Sequence, residues 1–371
     1  MPQEPPQVAD PIHPSESVYP GVTWDRVNAR SLGWSIEKLK EARRLSEDMI
    51  PTAVMIVQGG RVIYEWGDVS KRVKVSSVRK SFLSALYGIY VQEGIIDLDK
   101  TLYQVGIDDV PPLSPTEKQA TIRMLLQSRS GVYYSFVGGS PDMRAEMPTR
   151  GSHAPGAFWY YNNWDFNALG AIFERLTGTK IGTAFYERIA QPIEMQDFRA
   201  EDVYYVESVG DESVFPAYPF RMTARDMARF GYLFLREGRW RGQQVIPTAW
   251  VKESTTSYSD TGSLSSRLGL AARSGYGYLW WVAVNGNLFP GVKLPQGTYA
   301  AVGHLGKYII VAPKYDLVIA HAVEFDYPDR SNDLTQEELA NIPKFGGGDM
   351  GRLLKSILDA SPAFKPWSEA T

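Results

Sequence analysis

The chain has no cysteine among its 371 residues. Disulfides, thiolate nucleophiles and sulfur-based metal sites are therefore excluded, although the compartment stays open. Histidine is scarce as well: His13, His153, His304 and His321 are the full set, and their spacing matches no metal-ligand pattern. Neither a metal nor another cofactor is expected. No stretch approaches the ~18 consecutive apolar residues of a membrane span. A net charge of only −3 speaks against nucleic acid or an anionic membrane surface as partner. The first residues, Met1-Pro2-Gln3-Glu4-Pro5-Pro6, lack the basic and apolar regions of a secretory signal. The expected location is cytoplasmic if Met1 is the native start, and periplasmic or secreted if a leader was removed. Internal repeats and low-complexity tracts are absent too. With 44% hydrophobic and 22% charged residues, the composition is that of a globular protein of one or two domains.

The most informative segment is Val75-Ser76-Ser77-Val78-Arg79-Lys80-Ser81-Phe82-Leu83. Ser77 and Lys80 lie three apart at the start of an apolar helical run, so they share a face about one turn apart. An amine held in a dry cleft loses its proton and can then accept one from the neighbouring hydroxyl, which activates a serine without any histidine. A second Ser-x-x-Lys, Ser35 to Lys38, has a plainer explanation. Ser35 is placed to cap the amphipathic run Ile36 to Met49.

Upstream of Ser77, Ala53 to Gln58 and Arg61 to Trp66 flank Gly59-Gly60, the pattern of a two-residue β-hairpin. Residues 1–33 read as an irregular arm with six prolines before Gly21. Segments 77–219 read as mainly helical. Further along, a helix is expected over Thr223 to Glu237. Strands follow over Tyr276 to Val284, Thr298 to Val302, Lys307 to Val311 and Leu317 to Val323, and a last helix near Met350 to Leu358. Strands at both ends around a helical middle predict an α+β fold. One antiparallel sheet is built from residues 34–76 and 220–371, and the 77–219 insertion packs beside it with the site in the cleft.

Two more segments bear on that cleft. In Pro155 to Asn167, Tyr161 and Asn163 sit two apart on an extended loop and so face the same way. Tyr161 is a candidate proton shuttle if a neighbouring ammonium such as Lys80 lowers its pKa. Asn163 is placed to hold Lys80 or a substrate carbonyl. The aromatic neighbours Phe158, Trp159, Trp164 and Phe166 are assigned to packing. In Val302-Gly303-His304-Leu305-Gly306-Lys307, the glycines mark close approach of a ligand or backbone. The N–H of Lys307 is a candidate oxyanion donor paired with that of Ser77, and alternation turns the Lys307 side chain away from the cleft. Tyr133 and Tyr134 lie in a loop within reach of the site, as do Trp280 and Trp281, of which at least one must face a core. Loops 132–153, 203–218 and 285–297 are expected to shape the pocket.

Ser77-x-x-Lys80, Tyr161-x-Asn163 and His304-Leu305-Gly306, in this order, resemble the three motifs of the serine β-lactamase and penicillin-binding-protein superfamily. The likeness is to its class C-like branch, which includes family VIII-type esterases and 6-aminohexanoate-dimer-hydrolase-like proteins. The flanking Gly94 to Lys100, Thr121 to Leu126, Ser130-Gly131 and Met222 to Gly231 share the likeness. The resemblance implies a β-lactamase/transpeptidase-like α/β sandwich and acyl transfer through a covalent acyl-enzyme on Ser77. Lys80 and Tyr161 would share the proton traffic, with either one as the acylation base. His304 stands where β-lactamases of this type carry lysine, and histidine is mostly neutral at pH 7. That favours small esters, amides or peptide-like substrates without an obligatory carboxylate. A β-lactamase or DD-peptidase is the rival enzyme reading, and a non-catalytic binding module a further rival. Oligomeric state is not legible.

Overall fold

The computed structural model describes residues 18–364 apart from 51, 140, 327, 330–334 and 343. Residues 1–17 of the expected N-terminal arm lie outside the described residues. In the remainder of that arm, Arg26 bridges to Val62 and Ala29–Leu32 forms a short 3₁₀ turn.

Twelve strands are found among the described residues: β1 (Thr52–Gln58), β2 (Arg61–Trp66), β3 (Val73–Lys74), β4 (Arg221–Met222), β5 (Arg239–Trp240), β6 (Gln243–Gln244), β7 (Ser259–Asp260), β8 (Gly275–Tyr276), β9 (Trp281–Val282), β10 (Tyr299–Gly303), β11 (Lys307–Ala312) and β12 (Leu317–Val323). Eight of them form one sheet in the order β2-β1-β12-β11-β10-β9-β8-β7, antiparallel at every pairing described. The first and last long strands of the sequence are thus neighbours, β1 pairing with β12 from Thr52↔Val323 to Gln58↔Leu317. The β1–β2 turn has the two positive φ values, 58° at Gly59 and 80° at Gly60, that a twist-compatible hairpin requires.

Helices cover both faces of the sheet, which is why β1, β11 and β12 are buried almost throughout. The helix Ala224–Leu235 lies on one face. A Cβ on its Gly231 would come within 2.6 Å of Val318 Cγ1 and 2.7 Å of Ile309 Cγ2, so a hydrogen there lets helix and sheet touch. On the other face Leu354 and Leu358 of the helix Gly347–Asp359 meet Ile310, Ala312, Leu317 and Ile319, and the helix Ile36–Met49 packs along that helix. The alternation of β11, with Ile309 and Val311 to one helix and Ile310 and Ala312 to the other, follows the period-two geometry of a strand. The architecture is the α+β sandwich read from the sequence.

One expected strand is different. Tyr276 to Val284 is a tight hairpin, with Gly275↔Val282 and Tyr276↔Trp281 paired across it. Leu279 takes φ 62°. The turn is tied down by backbone bonds instead of a ladder: Tyr278 N–H donates to Ser254 O at 2.9 Å and Leu279 N–H to Leu126 O at 3.1 Å. Ser81 Oγ donates to Leu279 O at 2.8 Å, which anchors the turn to the helix Val78–Gln92.

Candidate active site

Ser77 is the N-cap of the helix Val78–Gln92. Its predecessor Ser76 sits at φ 50°, a left-handed conformation that costs a non-glycine residue of order 1 kcal/mol or more. The bend turns the chain out of β3 and presents Ser77, half-buried, at the helix start. Below it Phe82 packs on Phe185, Phe220 and Phe230, so the helix that carries the serine is fixed in the core. Ser35, by contrast, accepts from Lys38 N at 3.3 Å as the cap of Ile36–Met49.

Lys80 is 2% exposed. Its Nζ stands 2.9 Å from Ser77 Oγ, 2.8 Å from Tyr161 OH and 2.9 Å from Asn163 Oδ1. It also lies 4.2 Å from the ring centroids of both Tyr161 and Phe166. Asn163 is the first residue of the helix Asn163–Thr177, capped by Asn162, so helix entry directly after Tyr161 aims both side chains at the amine. No carboxylate pairs with Lys80 among the described residues. Burial pushes its ammonium well below the usual lysine range, and the Arg79 charge adds to the effect.

Tyr161 departs from expectation. Burial raises its hydroxyl well above the ordinary value, against smaller lowering effects from Ser77 and Arg79. An uncharged Lys80 is no ammonium that would ionise a phenol, and a dry phenolate has little else to stabilise it. Burial thus biases the pair toward a neutral amine beside a protonated tyrosine.

The third wall is the end of β10. β9 pairs only with Tyr299 and Ala300, so the β10 edge beyond them is left to the helix Val78–Gln92, which packs against it. A Cβ on Gly303 would meet Val75 O at 2.5 Å, two residues before the serine. His304, Leu305 and Gly306 form the turn into β11, with Leu305 and Gly306 at φ 54° and 76°. His304 is exposed at the cavity lip, whereas Gly306 packs inward: its missing Cβ would strike Val323 Cγ2 at 2.4 Å and Phe345 Cδ1 at 2.9 Å. Lys307 opens β11 with β10 on one side and β12 on the other. Its side chain points away from the cleft, as expected, and donates to Phe325 O at 2.6 Å. Burial lowers its pKa to about 8.

Two cavities meet at Ser77, and His304 and Met143 line both. The larger, of about 270 Å³, is walled by Trp159, Tyr160, Tyr161, Trp281, four leucines (Leu264, Leu268, Leu270 and Leu305) and Phe345. The smaller, of about 120 Å³, lies on the other side of the serine and is lined by Lys74, Arg79, Lys80, Asn163, the Val137–Gly139 loop and Asp329. Of the expected loops, 132–153 and 203–218 contribute Met143, Glu146, Val206 and Ala217, while 285–297 reaches neither cavity. Residues 264–270 and 345–347 take its place. The glycine run 346–348 was the one sequence signal at that wall.

Tyr133 and Tyr134 line neither cavity. Tyr133 is buried with its hydroxyl 3.1 Å from His153 Nδ1, and Tyr134 donates to Pro111 O under the guanidinium of Arg150. They are packing residues, because the loop turns them toward its own neighbours. Trp280 is core and Trp281 lines the larger cavity, as the adjacent pair required. No cluster of potential metal ligands and no membrane-spanning helix exists among the described residues.

The family model Beta-lactamase matches residues 39–342. A curated relative, an uncharacterized protein of Alkalihalophilus pseudofirmus, is 23% identical over 337 residues, covering 83% of this chain and 92% of its own. Among solved structures, a Bacillus anthracis protein provisionally described as a 6-aminohexanoate-dimer hydrolase superposes with TM-score 0.60 at 23% identity. That superposition covers 86% of this chain and 82% of the other. A β-lactamase from Mycobacterium bovis gives 0.56 at 19% identity, over 86% and 99% of the two chains. EstCE1, described as a hydrolase with promiscuous acyltransferase activity, gives 0.59 at 16%, over 90% and 99%. With a model match that runs from the first helix through the sheet and the site between them, the chain belongs to the β-lactamase family of hydrolases.

Proposed function

We propose that the protein is a serine hydrolase that cleaves ester or amide bonds through an acyl-enzyme on Ser77. The observation that carries this reading is the buried Lys80 amine. It has no acidic partner among the described residues and lies at hydrogen-bond distance from Ser77, Tyr161 and Asn163. A neutral amine has two N–H donors and one lone pair. Asn163 Oδ1, which can only accept, takes one N–H, and Tyr161 OH takes the other. The lone pair is then left for the Ser77 hydroxyl proton.

In this mechanism Ser77 Oγ attacks the carbonyl carbon as its proton passes to Lys80. When the tetrahedral intermediate collapses, Tyr161 gives its proton to the departing oxygen or nitrogen and is reprotonated by the Lys80 ammonium. That returns both groups to their starting state. Water repeats the sequence on the acyl-enzyme and releases the acid. The oxyanion lies against the N–H of Ser77 at the helix start and an N–H of the β10 edge at His304. His304 replaces Lys307 in that role, because a residue between two paired strands directs its backbone groups within the sheet.

The test is p-nitrophenyl butyrate turnover with intact-mass detection of the acylated protein, Ser77→Ala in parallel, and nitrocefin as a second substrate. Ester turnover and a trapped acyl group that both vanish in Ser77→Ala support the reading. Full ester activity in Ser77→Ala sinks it. Fast nitrocefin turnover with poor esterase activity moves the assignment to a β-lactamase.

A further inference from the structure

We infer that the smaller cavity is a subsite for a carboxylate on the acyl portion of the substrate, with the Arg79 guanidinium as its counter-ion. The inference rests on the Ser77 hydrolase reading and names the substrate class for it.

Arg79 is 7% exposed and forms no ion pair among the described residues. Its Cζ sits 3.9 Å from the ring centroid of Tyr218, and Nη2 donates to Asn167 Oδ1 at 3.1 Å. Nη1 is buried without a partner. A guanidinium keeps its proton, and a buried charge is ordinarily met by an opposite one. The other charges around this cavity do not meet it. Lys74 Nζ and Asp329 Oδ1 are paired at 2.8 Å, and Tyr204 OH donates to the same carboxylate. Lys80 is pushed toward its neutral form, and His304 stands at the exposed lip. Asn167 links the guanidinium to the Val137 loop, since its Nδ2 donates to Val137 O at 3.0 Å, and Arg79 and Val137 line the same space as Ser77.

Tyr161 decides which part of the substrate enters. It lines the larger cavity and not the smaller one. The group it protonates on departure therefore extends into the large apolar cavity, and the acyl chain occupies the side of Arg79. The substrate class is a short dicarboxylic acid joined through one carboxyl to an apolar alcohol or amine. The cation that a lysine would bring at the His304 position is supplied instead from the helix of the nucleophile.

Matched esters test this: mono-p-nitrophenyl glutarate against p-nitrophenyl pentanoate, with background hydrolysis subtracted. In the wild-type protein kcat/KM favours the glutarate ester about tenfold or more, the scale of one charge-assisted contact, and added NaCl erodes the preference. Arg79→Gln brings the ratio to one or below, and Arg79→Lys restores part of it. The ratio is internal to each protein, so a general loss of activity cancels. A wild-type ratio at or below one overturns the inference, as does a preference that Arg79→Gln leaves intact. A preference for 4-carboxyphenyl over phenyl esters in place of the acyl-side preference overturns the placement. If neither ester is turned over, the ester half of the hydrolase reading has failed and the subsite is judged by calorimetry on Ser77→Ala. Glutaramate binding with pentanamide inert supports it, and equal or absent binding overturns it.

Discussion

The depression of the Lys80 ammonium by burial makes a statement about pH. An ordinary lysine titrates near 10.4, so at pH 7.4 only about one amine in a thousand would be free to act as base. In kinetic terms that shortage equals about 4 kcal/mol of barrier. An enzyme that carried it would gain activity about tenfold per pH unit up to that pKa. Burial of Lys80 among the rings of Tyr161 and Phe166, beside Arg79 and with no carboxylate paired to it among the described residues, works against that shortage. The expected profile of kcat/KM for p-nitrophenyl butyrate is a single acid limb whose midpoint lies well below the ordinary lysine value, followed by a plateau. The assay reads p-nitrophenol at its isosbestic wavelength, with Ser77→Ala subtracted for hydroxide attack and circular dichroism to confirm folding. A climb of unit slope from pH 7 to pH 10 would refute the argument, since it would mean Lys80 is protonated at rest. The same depression has a thermodynamic sign. Between the depressed folded pKa and the unfolded one, the unfolded chain binds a proton at Lys80 that the folded one does not. Lys80 therefore subtracts stability at neutral pH, and the penalty fades as pH rises toward 10.4.

Two further outcomes are expected from other parts of the site and its support. Gly303→Ala places a methyl 2.5 Å from Val75 O, and backbone on both sides leaves no flexible atom to yield. Esterase kcat/KM should fall by on the order of 10² or more while the protein stays folded, as misplacement by an ångström does elsewhere; wild-type kinetics in that variant would show that the β10 edge takes no part. Burial depresses His321 to about 4, with its Nδ1 2.7 Å from Gly306 O and its ring stacked on Phe345. Here too the unfolded chain holds the extra proton, so stability is lost as pH falls from the unfolded value of about 6.5 through 4, by on the order of 3 kcal/mol. Urea titrations at pH 7 and pH 4 should show that loss in the parent and a smaller one in His321→Leu.

What the sequence determined by itself is local. A serine and lysine three apart fall on one helical face, a glycine pair between alternating runs makes a hairpin, and Ser35 caps a helix rather than joining a site. These follow from backbone periodicity and turn chemistry, which need no knowledge of distant neighbours. The order of the three motifs carried the family for the same reason, being a property of the chain read along its length. What only the tertiary structure decided depends on which element lies beside which. Lys307 and His304 are three residues apart, yet β12 closes one side of Lys307 while β9 stops short of His304, and no local pattern reports that. Tyr133 and Tyr134 turn toward His153 and Pro111 because those partners are brought in by other loops. The charge states of Lys80 and Tyr161 are set by how much water is excluded and by the charges that remain. Arg79 reads in sequence as one more basic residue on a helix. Its meaning comes from the lack of an acid paired with it among the described residues, which only a folded chain can show.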